Sequence, residues 1–246
     1  MDKVNIIGTN IDNVTEEEAV LRIVSMLNSH QNHAVFTPNS EILLMAYKDP
    51  EFCDILNSAD LLTADGIGVV HASKIIGEPL PERVAGYDMA CDIIDIIAES
   101  GHRLYLFGGK PDVAELAASE LKKIHPLLNI VGTHNGYFTP DEVPAIIEDI
   151  NQSGADLLFV CLGAPTQEKW IFENKNKLSC HVMMGIGGSL DVFAGITERA
   201  PQIWCDLGLE WLYRLIKEPW RFKRMLALPK FALTVLLHGR KFKEEK

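Results

Sequence analysis

Across roughly the first two-thirds of the sequence, short apolar runs alternate with longer stretches in which apolar residues recur at helical spacing. A chain written this way buries its runs as a parallel sheet with helices laid over it. The expected fold is therefore α/β, a Rossmann-like, mostly parallel sheet flanked by helices. Strands are predicted at residues 4–7, 34–36, 61–63, 103–107, 129–133, 156–161 and 181–185. Helices are predicted at 15–28, where Thr15 and Glu18 have capping-box spacing, and at 39–45, 50–59, 86–100, 112–124, 140–153 and 166–176.

The character changes near Arg199–Pro201. Beyond it Trp204, Trp211, Tyr213, Trp220, Phe222, Met225 and Leu226 interleave with Arg214, Arg221 and Arg224. The net charge of -11 is unevenly placed: residues 200–246 carry about +5 and the rest about -16. The reading is an α/β catalytic domain over 1–199 and a basic, helical, amphipathic appendage over 200–246. With 246 residues, 47% of them hydrophobic, the chain can bury one sizeable core. An acidic body argues against nucleic-acid binding, which neutralises phosphates with a basic surface. The basic, aromatic tail suits an anionic membrane surface, with rings at headgroup depth; packing on its own domain is the alternative. No signal peptide is expected, and no window is apolar enough to span a bilayer. Five scattered cysteines, an odd number without metal-ligand spacing, point to a reducing compartment.

Loops that follow strands are where an open α/β sheet places its ligands. Thr37-Pro38-Asn39 leads into a helix; its polar residues either cap that helix or face a ligand. In Thr63-Ala64-Asp65-Gly66 a carboxylate sits beside a flexible glycine, able to accept a proton from a hydroxyl or simply to cap a helix. Arg83 offers a guanidinium suited to phosphate, or an ion-pair partner for Glu82 or Asp88. Gly108-Gly109 ends a strand and opens a helix, which reads either as an anion site of exposed amides or as a structural turn. The full P-loop pattern is missing there. Near 185–191, G-x-G-x-x-G would need glycine where Leu190 stands, so a nicotinamide or flavin enzyme loses its main support.

Taken in order, the segments T-P-N at 37–39, T-A-D-G at 63–66, E-R-V-x-G-x-D at 82–88, G-G at 108–109, G-x-P-x-Q-E at 163–168 and G-x-G-G-x-x-D at 185–191 resemble the WecG/TagA/CpsF family of bacterial glycosyltransferases. The resemblance runs over nearly the whole chain. It implies an inverting transfer of an N-acetylmannosamine-type sugar from a UDP-sugar donor to an undecaprenyl-diphosphate-linked GlcNAc acceptor. The product would be the linkage unit of wall teichoic acid or a related surface glycan, with the uronic acid form of the donor, or another UDP-hexosamine, as an alternative. It also implies a protein peripheral on the inner, cytoplasmic face of the cell membrane. A homo-oligomer is left open, and a non-catalytic membrane scaffold is the reading from another class.

In such a reaction Asp65 is the expected base. Arg83 is expected on the leaving diphosphate together with the amides near Gly108 and Gly109, and with Arg214 or Arg221 from the tail. The resemblance places Thr37, Asn39 and Gln167 on sugar hydroxyls or the acetamido group and Asp191 on the uridine. Gly66, Gly136, Tyr137, Gly163 and Gly187 complete the candidate substrate-binding set. No Asp-x-Asp motif is present to hold a divalent ion, so no cofactor is expected and the transfer is expected to be metal-independent.

Overall fold

The structure is a computed structural model that describes residues 2–29, 31–219, 222–239 and 241–243. The first predicted strand does not join the main sheet. β1 (Lys3–Ile6) instead pairs antiparallel with β2 (Thr9–Asp12), a strand absent from the sequence reading, to make a separate hairpin. The reason is local: Ile7 and Gly8 both take positive φ (47° and 100°), the backbone of a tight two-residue hairpin turn.

The other strands form one sheet in which every pairing is parallel. They are β3 (His33–Phe36), β4 (Leu61–Leu62), β5 (Arg103–Gly108), β6 (Asn129–His134), β7 (Leu157–Cys161) and β8 (Val182–Gly185), ordered β4-β3-β8-β7-β5-β6. The hairpin shields the β4 edge: buried Asp12 accepts the Leu62 amide at 2.9 Å while Arg22 pairs with its other oxygen at 3.1 Å.

Alternation along the strands divides the core into two layers. Leu104, Leu106, Leu157, Phe159, Val182 and Met184 face a cluster built with α1 (Glu16–Leu27), α5 (Gly86–Ser100) and α6 (Val113–Ile124). Tyr105, Phe107, Leu158, Val160 and Met183 face the opposite cluster. Residues of α2 (Ser40–Lys48), α3 (Pro50–Asn57), α4 (Ile67–Ile76), α7 (Val143–Ser153) and α8 (Thr166–Asn174) complete that one. Because both faces of the sheet are covered, its strands read as continuous apolar runs. Helix α4 is a further element that the sequence pattern does not predict.

The remaining elements among the described residues are helical: α9 (Ser189–Phe193), α10 (Gln202–Asp206), α11 (Glu210–Lys217), α12 (Phe222–Met225) and α13 (Ala227–His238). α13 lies against α2 and α4, burying Phe231 and Val235 in the second core, and Arg224 grips Glu41 of α2 through both carboxylate oxygens. All five cysteines are free thiols.

Candidate active site

With every strand of the main sheet parallel, the loops after β4, β3, β8, β7, β5 and β6 open along one edge. Asp65, Thr37, Gly187, Gly163, Gly109 and Gly136 follow those strands in that spatial order. At roughly 4.8 Å per strand spacing, the ends of β4 and β5 stand about 19 Å apart. The edge is therefore long enough for an extended ligand.

Asp65 and Arg83 converge at the β4 end. Val84 donates its amide to Ala64 O at 2.9 Å, Thr63 Oγ1 donates to Val84 O at 3.2 Å, and Gly86 donates to Asp65 Oδ2 at 3.4 Å. Asp65 makes no cap bond to α4, whose N-cap is Gly66. Burial pushes the Asp65 carboxyl up to about 6; Arg83 opposes the rise, Glu210 adds to it, and Arg214 opposes it. A carboxylate poised there is a competent general base near neutral pH.

Arg83 pairs with Asp88 (Nη2–Oδ2, 2.9 Å), one of the two partners anticipated, and with Glu210 of α11 (Nη1–Oε2, 2.7 Å), which was not anticipated. Glu82, the other anticipated partner, instead accepts the amide of Glu16. Asp88 also bonds Arg199, and that guanidinium lies 4.8 Å above the Tyr87 ring. A cavity of about 780 Å³ opens beside this network, with Arg83, Asp88, Arg199, His71 and Cys91 in its wall. Arg214, on the same helix as Glu210, pairs with it at 2.5 Å and is otherwise half-exposed. Arg221 lies outside the described residues.

Thr37, Asn39 and Gln167 brace the middle of the edge. Asn39 Oδ1 accepts the amides of Glu41 and Ile42 and so caps α2. Thr37 is buried, donates to Gly185 O at 3.4 Å, and packs so tightly on Gly86 that a Cβ there would meet its Oγ1 at 2.7 Å. Gln167 is buried too; its Nε2 donates to Glu168 at 2.9 Å and its Oε1 accepts the Gly187 amide at 3.1 Å. Gly163 (φ 74°) and Gly187 (φ 57°) face open space, a backbone that a ligand can approach. Asp191 is half-buried in the first turn of α9, where its own carbonyl accepts the amides of Ile196 and Thr197.

At the far end, Gly108 and Gly109 do not meet Arg83. The Gly109 amide is donated to Cys161 O at 3.1 Å, and its carbonyl accepts Gly136 N at 2.8 Å. A glycine pair bonded in this way closes the β5 end of the sheet. Its Gly109 amide is engaged within the fold, and it lies at the end of β5, four strand positions from the end of β4. Tyr137 is exposed beside it. Arg199 and Glu210 are the network members that sequence reasoning missed. The spacing of Glu210 and Arg214 by one helical turn was the available local signal.

Fold and site together define an α/β enzyme whose polar residues line the carboxyl edge of a parallel sheet, with the raised Asp65 carboxyl at one end. The family described as "Glycosyl transferase WecG/TagA/CpsF family" matches residues 4–245, and the chain belongs to that family. Among curated relatives, N-acetylglucosaminyldiphosphoundecaprenol N-acetyl-beta-D-mannosaminyltransferase of Bacillus subtilis (strain 168) is 40% identical, over 86% of this chain and 80% of the relative. The protein of that name from Bacillus spizizenii is 36% identical over 87% and 82%. The one from Staphylococcus aureus (strain MW2) is 32% identical over 99% and 96%.

Proposed function

We propose that the chain transfers N-acetylmannosamine from UDP to GlcNAc-diphospho-undecaprenol with inversion at the anomeric carbon. The observation that carries this reading is the Asp65 carboxylate, raised toward neutrality at the sheet edge and flanked by Arg83, in a member of a family whose relatives bear that activity in their names. Asp65 takes the proton of the acceptor hydroxyl as the oxygen bonds to the anomeric carbon. The bond from that carbon to the UDP oxygen breaks with its electron pair leaving on the diphosphate. Arg214, whose second nitrogen alone is engaged by Glu210, and Arg83 supply positive charge on the departing side. The wall teichoic acid linkage unit is the product class that fits. Incubating the protein and lipid-linked GlcNAc with a panel of UDP-sugars tests the donor: UDP release should be greatest with UDP-ManNAc and should survive EDTA. Release restored only by magnesium would overturn metal independence, and preference for another donor would overturn the substrate.

The reading extends to the membrane surface where such an acceptor resides. Among the described residues no helix is long and apolar enough to cross a membrane. α13, however, turns Phe231 and Val235 inward and leaves Leu233, Leu236 and Leu237 57–63% exposed, with Leu226 on the same side. A stripe of this kind beside Lys230 suits the headgroup boundary of an anionic bilayer. Replacing Leu233 and Leu237 by glutamate should lower sedimentation with anionic vesicles at least tenfold, since each buried leucine contributes about 1.5–3 kcal/mol. Undiminished sedimentation would show that this face is not the contact.

A further inference from the structure

Glu210 belongs to α11, yet its carboxylate is committed to the α/β domain. Oε2 accepts from Arg83 Nη1 at 2.7 Å, Oε1 lies 2.5 Å from Arg214 Nη2, and the side chain is only 19% exposed. Its neighbour Asp88 cannot neutralise Arg83 alone, because its second oxygen is bonded to Arg199. The side chains form a row of alternating charge, Arg199, Asp88, Arg83, Glu210 and Arg214, which runs alongside Asp65. Burial works to raise the Glu210 carboxyl, but Arg214 and Arg83 overcome it and hold Glu210 ionised.

We propose that Glu210 is a positioning residue for the transfer, acting through Arg83: it pins that guanidinium and offsets, at Asp65, the pull of its charge, so that the base retains its appetite for a proton. The inference rests on Asp65 being the base. Its physical content is electrostatic. A cation close to a carboxylate favours the ionised form and lowers its pKa by about 1–3 units, and a less basic carboxylate is a poorer proton acceptor. Asp65 faces Arg83 from the loop before α5 and Glu210 and Arg214 from α11. Asp88 of α5, Arg199 ahead of α10, and Glu82 and Glu16 stand around Arg83. Of these, Glu210 is the anion that touches Arg83 from the C-terminal segment, so the seating of α11 and the basicity of Asp65 are linked.

The test is the pH profile of kcat/KM for the full chain acting on vesicle-borne lipid-linked GlcNAc, which reports groups of the free enzyme. The wild-type acid limb is expected near 6. Glu210→Gln should move that limb to lower pH by about one unit and lower the plateau severalfold. Glu210→Asp, which keeps the charge, should return the limb toward the wild-type position. Arg214→Gln, which removes a cation, should move it the other way and keeps the question answerable if Glu210→Gln fails to fold. A bridge with a merely structural role would lower the rate at every pH and leave the limb in place. That result, or limbs displaced in the opposite senses, overturns the proposal. If Asp65→Asn retains the wild-type limb, it is the assignment of the base that has failed instead.

Discussion

Replacing Asp65 by asparagine is expected to lower turnover by about 10²–10⁴-fold while the protein remains folded, because a positioned general base contributes that much and asparagine cannot take a proton. The change is isosteric. The hydrogen bond that Asp65 accepts from the Gly86 amide is long, at 3.4 Å, and a carboxamide oxygen can still receive it. The pH dependence follows from the raised carboxyl. Below about 6 Asp65 holds its proton and cannot accept another, so wild-type activity should fall as pH drops through that value, and the asparagine variant should lose this limb. Stability moves in the other direction. A carboxyl whose folded pKa lies above its unfolded value favours the neutral form, so its ionisation costs stability progressively from the unfolded pKa up to about 6, and fully above it. At pH 7 the asparagine variant should therefore melt no lower than wild type. Turnover near the wild-type rate would remove Asp65 from the reaction, and a clearly lower melting temperature would show that the carboxylate has a structural task.

The strands of the main sheet were legible because they are buried on both faces: Leu157-Leu158-Phe159-Val160-Cys161 is an unbroken apolar run, as a doubly covered parallel strand must be. β2 was not legible, since Thr9-Asn10-Ile11-Asp12 has little apolar signal and is held by pairing with β1 across a positive-φ turn. α4 was hidden by Gly66 and Gly68, which read as loop. Gly68 is small because Ser40 approaches from α2, where a Cβ would meet Oγ at 2.4 Å, and that contact is invisible in a single sequence. That Asp65 and Arg83 share one site was expected from the chemistry that the resemblance implies, not from any local pattern. The partner Glu210 was not, because it meets Arg83 across 127 positions and only the docking of α11 brings the two together. Local chemistry was thus readable where one strand end carried it, and unreadable where two distant segments share a charge.

Gly108 presents the same distinction in measurable form. The sequence left open whether Gly108-Gly109 serves a ligand or a turn, and the geometry favours the turn. Gly108 has φ 129°, and a Cβ there would lie 2.3 Å from Cys161 O, 2.5 Å from its carbonyl carbon and 2.8 Å from its Cα. Those are backbone atoms of β7, the partner of β5 in the central sheet, and cannot swing aside as a side chain can. Gly108→Ala therefore combines overpacking, about 1–3 kcal/mol, with positive-φ strain of similar size. A loss of about 3 kcal/mol or more lowers the melting temperature of a chain of this length by roughly 6–12 °C. Gly101 supplies the control: it also has positive φ (79°), at the C-cap of α5, but a Cβ there meets nothing within 4 Å. Gly101→Ala should then cost only the backbone strain, about 1 kcal/mol. Were the two alanine variants to melt alike, the close approach of β5 to β7 would not be what demands glycine at 108, and access for a ligand would become the better account of the pair.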